Sequence, residues 1–137
     1  MLRAAKIAWV CGVLLAASGC GDSHESLVKE GVRILNDAAD ELSTINDQSS
    51  AEAARPKLQD INQRWRANQE QADAVKKPTS QERQRLQEEY STEFETAARR
   101  CRIESSRVKR IPGGTAAVKE LDDIKPDKWL LMQAVNP

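Results

Sequence analysis

The sequence predicts an all-α protein, an antiparallel three-helix bundle with a short helical C-terminal tail. Three observations carry that reading. Apolar residues recur at three- and four-residue steps through three long stretches, the period of one helix face. Polar connections with helix-capping signatures separate the stretches. Neither an internal repeat nor β-type alternation of useful length interrupts them.

Ahead of the first stripe lies a segment of different character. A basic start (Arg3, Lys6) precedes eleven apolar residues, 7–17, and then Ala17-Ser18-Gly19 leads into Cys20. Spanning a bilayer by helix takes about 20 residues, and small residues rather than a basic flank follow, so a cleaved export leader is expected here instead of a permanent span. The stretch Ala17-Ser18-Gly19-Cys20 resembles the lipobox of bacterial lipoproteins, with Ala17 where leucine is usual. The resemblance implies cleavage between Gly19 and Cys20 and acyl groups on Cys20, which would then be the membrane anchor. Two or three acyl chains attach durably where one does not, at about 0.8 kcal/mol per buried methylene. Family practice also makes an aspartate just after the cysteine an inner-membrane signal. Here Gly21 holds that place and Asp22 follows, which resembles an outer-membrane or surface destination. The expected division is therefore residues 1–19 as lipoprotein signal peptide, 20–26 as lipidated tether, 27–110 as bundle and 111–137 as a C-terminal capping segment.

Loss of the leader removes two of the 21 basic residues and none of the 21 acidic ones. The 118 residues that remain suffice for one small core. Their charge is uneven: residues 20–54 hold eight acidic and two basic groups, whereas 99–110 hold six basic and one acidic. Of three cysteines, Cys11 leaves with the leader and Cys20 takes lipid, so Cys101 has no partner for an internal disulfide. It lies on a helical stripe, and the expected role is a small buried hydrophobe rather than an intermolecular bridge or reactive thiol.

The first helix is marked by Leu27, Ile34, Leu35, Ala38, Leu42 and Ile45. Ser49 with Glu52 reads as a capping box opening the second. The second helix has the cleanest stripe, Ala54, Leu58, Ile61, Trp65, Asn68, Ala72 and Val75, a heptad seam fit for another helix of this chain or of a second copy. Pro56 predicts a kink or a start delayed to about Arg55. Asn68 suits a register-setting hydrogen bond. Thr79 with Glu82 forms another capping signature, and Leu86, Tyr90, Phe94, Ala97, Cys101, Ser105 and Val108 mark a third helix of about eight turns. Short connections place successive helices antiparallel.

Pro112-Gly113-Gly114 ends that helix. Ala117, Val118, Leu121 and Ile124 outline a short further helix, and residues 129–132 form a last apolar cluster. Four adjacent apolar residues are costly in water, so the tail is expected to fold back over one end of the bundle; an exposed docking segment is the alternative.

Nothing in the inventory supplies an activated nucleophile. The single histidine, His24, is expected to be a solvated linker residue, and neither a zinc motif nor a phosphate loop occurs. Acidic residues Asp37, Asp40, Glu41, Glu88, Glu89, Glu93 and Glu95 read as solvated faces paired with basic neighbours, since di-metal carboxylate bundles need Glu-x-x-His pairs. No catalytic residue, metal site or cofactor is expected.

The one local electrostatic anomaly is Arg99, Arg100, Arg102, Arg107, Lys109 and Arg110. Without interleaved aromatic residues for base stacking, it is no nucleic-acid site. It reads either as a contact for anionic headgroups or envelope polymers or, more plainly, as a complement to the helix dipole and to the acidic first helix. The expected function is a membrane-tethered, extracytoplasmic lipoprotein acting as a non-catalytic interaction or scaffold module of the cell envelope, with an envelope protein or anionic polymer as partner. A small-ligand or metal carrier using a cavity near Asn68 and Tyr90 is the alternative.

Overall fold

The computed structural model describes residues 23–132; the lipobox residues Gly19 and Cys20 and the last five residues lie outside that span. The described chain is all-helical. Three long helices, α1 (His24–Ser43), α2 (Gln48–Ala74) and α3 (Ser80–Val108), are followed by a short α4 (Gly114–Lys119) and two 3₁₀ turns, Pro126–Lys128 and Leu130–Met132. No helix among the described residues is long and apolar enough to cross a membrane.

Each long helix opens on a side-chain cap, which satisfies an amide that has no intrahelical acceptor. Ser23 Oγ accepts from the Ser26 amide at 3.2 Å and Thr79 Oγ1 from the Glu82 amide at 3.1 Å. For α2 the cap is Asp47, not Ser49. Its carboxylate accepts from the Ser50 amide at 2.7 Å, while Ser50 Oγ accepts from the Asp47 amide at 3.0 Å. An ionised carboxylate also complements the positive end of the helix dipole, and these hydrogen bonds hold the Asp47 pKa below its ordinary value. With that start in place α2 begins ahead of Pro56 and continues past it, Pro56 being exposed and Ala51 and Ala54 ahead of it buried.

The predicted stripes form the core. Leu27, Ile34, Leu35, Ala38, Leu42 and Ile45 of α1 and its end, Leu58, Ile61 and Trp65 of α2, and Leu86, Tyr90, Phe94, Ala97, Cys101 and Val108 of α3 are all buried in one cluster. Burial pushes the Cys101 thiol pKa up, as befits an inert core residue. α1 is the hub, packing extensively on α3 and on α2, whereas α2 and α3 have little direct contact.

The tail fills that gap lengthwise instead of closing one end. Gly113 takes a left-handed conformation (φ 76°), and a Cβ on Gly114 would fall 1.8 Å from the Val108 carbonyl oxygen, so the turn needs both glycines. Glu120 then bonds Arg55 at 2.6 Å and Gln59 at 2.9 Å, and Asp123 bonds Asn62 at 2.8 Å, stitching the segment along α2. Trp129 ends the run between the Trp65 ring, 5.5 Å away, and the Phe94 ring, 5.4 Å away. Its outer edge lies over Gly31, where a Cβ would come within 2.6 Å of the indole.

Gly31→Ala is therefore expected to cost about 1–3 kcal/mol by overpacking and to shift tryptophan emission to the red as the indole leaves its slot. Thermal melting followed by fluorescence checks both; an unshifted spectrum with unchanged melting would contradict the packing.

Candidate functional site

Residues 99–108 form the last third of α3 and 109–110 the turn that follows, and the helix sorts their charges onto two flanks. Arg100 and Arg107 face α1. Arg100 bonds the Asp40 carboxylate. Arg107 donates to the carbonyl oxygens of Leu42 and Ile45, each at 2.8 Å, and pairs with Glu104 at 2.8 Å. Those carbonyls close α1, where acceptors lack intrahelical donors and the dipole is negative, so Arg107 serves as a cap delivered from another helix.

Arg99, Arg102, Lys109 and Arg110 are different. Their side chains form no hydrogen bond or ion pair among the described residues. At 3.6 residues per turn, their spacing places all four on one outer flank, together with Ile103. That isoleucine is 60% exposed, the one large hydrophobic side chain among the described residues left in water. Beside it, a groove of about 320 Å³ runs between α3 and the tail, with Cys101 and Leu121 in its lining and Arg102, Lys109 and Lys125 around it. The collar expected from sequence is thus a one-sided patch of four cations and an isoleucine, and the other two arginines belong to the fold. Along the same flank toward the start of α3 the sign reverses, with Glu95 and Glu88 one and two heptads before Arg102.

Several other charges are paired between helices. Arg64 straps α1 to α2 through Asp37 at 2.8 Å and Glu30 at 3.1 Å, and Lys57 meets Glu41 at 3.6 Å. Asn68 Nδ2 donates to the Leu27 carbonyl at 3.1 Å, and the Tyr90 hydroxyl lies 2.8 Å from Glu25 and 2.9 Å from Glu89. Both residues proposed as cavity-lining are thus engaged by neighbouring helices. No cluster of three or more potential metal ligands occurs among the described residues.

At the opposite end of α3, sequence reasoning missed two features. His24 is no solvated linker residue: its side chain is 12% exposed, Nε2 donates to the Lys76 carbonyl at 2.7 Å and Nδ1 faces Glu82 Oε1 at 2.9 Å. Glu82 is thereby diverted from the capping box assigned to it, which forms only its Thr79 half. Glu25 meets Lys29 at 2.8 Å, Tyr90 at 2.8 Å and Arg85 at 3.5 Å. Hydrogen bonds from Lys29, then Tyr90, hold its pKa down at about 2. Ile103 was missed as well, although its place off the α3 stripe is a signal that could have found it.

Compared with protein families, curated proteins and solved structures, the chain matches none, so the reading of this site rests on its own residues.

Two measurements check the assignment. Arg107→Ala should lower stability by about 1–3 kcal/mol by leaving the Ile45 carbonyl without a donor and removing the second donor to Leu42, while glutamine at Arg99, Arg102, Lys109 and Arg110 together should leave melting unchanged or slightly higher. For Glu25 the folded pKa lies below the unfolded one, so its contribution is present above about pH 4.5 and fades as pH falls toward 2. Carboxyl NMR titration should find it ionised down to about pH 2; a midpoint near 4.5 would refute the cluster.

Proposed function

We propose that this chain is an exported lipoprotein, cut between Gly19 and Cys20 and held at an outer membrane or cell surface by acyl groups on Cys20. Its helical domain is an up-down-up bundle that acts by contact, without catalysis. The order of cross-helix pairs supports the topology. Along α1, the α2 partners descend from Asn68 at Leu27 through Arg64 at Glu30 and Asp37 to Lys57 at Glu41. The α3 partners ascend from Glu82 at His24 through Tyr90 at Glu25 to Arg100 at Asp40 and Arg107 at Ile45.

One observation carries the contact reading. Four cations gathered on one flank beside the exposed Ile103 make no side-chain hydrogen bond or ion pair among the described residues, and such a local concentration of one sign of charge attracts a partner of the opposite sign. The anchor reading rests on the order of basic start, apolar run, small residues and Cys20 in the sequence.

Cells expressing the chain and fed radiolabelled palmitate should yield a labelled membrane-bound product that begins at Cys20, and Cys20→Ser should abolish both label and cleavage. Unlabelled protein retaining residue 1 in the cytosol would sink the proposal.

A further inference from the structure

We infer that the α3 flank built from Arg99, Arg102, Ile103, Lys109 and Arg110 docks on the anionic headgroups of a second membrane, opposite the one that holds Cys20; this rests on the anchor reading above. The chemistry comes first. Cations left unpaired by the fold attract a negatively charged surface, each strengthening adsorption about fivefold. Ile103 narrows the choice of surface. An anionic polymer or nucleic acid has no use for an aliphatic side chain ringed by arginines, whereas a headgroup layer accepts cations at the phosphates and an apolar side chain just beneath them.

Position decides which membrane. The His24 contacts with Glu82 and Lys76 place the start of α1 beside the start of α3. Only Gly21 and Asp22 lie between Cys20 and Ser23, a reach of about 10–11 Å over three fully extended steps. Arg99 lies 17 residues beyond Glu82 along α3, about 25 Å away at 1.5 Å per residue, and Lys109 and Arg110 sit in the turn just past the helix end at Val108, which is about 40 Å from Glu82. A bundle lying flat on its own membrane would press Glu88 and Glu95 of the same flank against the anionic surface. Standing off the anchor, it presents only the cationic half outward. The molecule is thus built as a short bridge, acylated at one end and cationic at the other.

The test uses the full chain in two vesicle populations. It is held by Cys20 on neutral phosphatidylcholine vesicles, which are then mixed with labelled vesicles containing 30% phosphatidylglycerol or none, and capture is read by co-flotation. Anionic vesicles should be captured and neutral ones not, with capture falling steeply as salt rises. Each single change among Arg99→Gln, Arg102→Gln, Lys109→Gln and Arg110→Gln should weaken capture about fivefold, all four together more than a hundredfold, and Ile103→Ser severalfold, with circular dichroism unchanged. Equal capture of neutral vesicles, or full capture by the fourfold variant, would overturn the inference. So would capture indifferent to Ile103→Ser but blocked by dextran sulfate, which would assign the patch to a polymer. If Cys20 carries no acyl group, the Cys11→Ser chain is coupled to a maleimide lipid through Cys20 and the assay repeated. Absence of acyl groups then counts against the anchor alone, and absence of capture with the chain attached counts against the docking surface alone.

Discussion

The fold depends on the seating of Trp129 between α2 and α3. The two helices barely touch each other, so without the tail their inner faces would line an open trough flanked by Trp65 and Phe94. An indole buries about 150–250 Å², which at about 25 cal/mol per Å² corresponds to about 4–6 kcal/mol, comparable to the whole stability of a small domain. The Trp129 indole nitrogen makes no hydrogen bond, so packing alone holds the ring. Gly31 makes the seat possible by leaving out the one methyl that would fill it. Polar stitches from Glu120 and Asp123 to α2 align the approach, but partly exposed pairs of that kind contribute little each.

The second organising element is the distribution of charge around α1. This helix carries an excess of acid, and its neighbours answer on both sides: Arg64 and Lys57 from α2, Arg100 and Arg107 from α3. The matching is what makes the remainder informative. A basic run read from sequence is ambiguous because any of its members could be neutralising a partner. Once two of the six are seen inside the fold, the other four stand as unpaired side chains on one flank, with Ile103 at its edge.

Much of this was legible in the residues, and the boundary has physical causes. Stripes at three- and four-residue spacing located all three long helices and nearly every core position, because burial of one helix face is a local, periodic requirement. Two things escaped. Gly31 and Val28 lie on the α1 face between the predicted positions, and Gly31 carries no hydrophobic signal at all; its role exists only relative to Trp129, about a hundred residues away. The cap of α2 was displaced by two residues because Ser49-x-x-Glu52 and Asp47-x-x-Ser50 are both acceptable signatures, and the stronger acceptor prevailed. The His24 and Arg107 contacts are likewise long-range products of packing, invisible to spacing rules. In the basic segment, sequence supplied the six members but not the division between them, which is set by which flank of α3 faces α1.

That division also bears on stability. Four like charges within three turns repel one another, and at three- and four-residue spacing each such pair costs a few tenths of a kcal/mol. The fold tolerates the cost because Arg107 and Arg100 on the far flank, together with the core stripe, already fix α3 in place. Binding an anionic surface would remove the repulsion and add attraction, so by linkage the partner would stabilise the bundle as the bundle holds the partner. A helix end that is electrostatically strained when free and relaxed when docked would suit the contact role proposed for this domain.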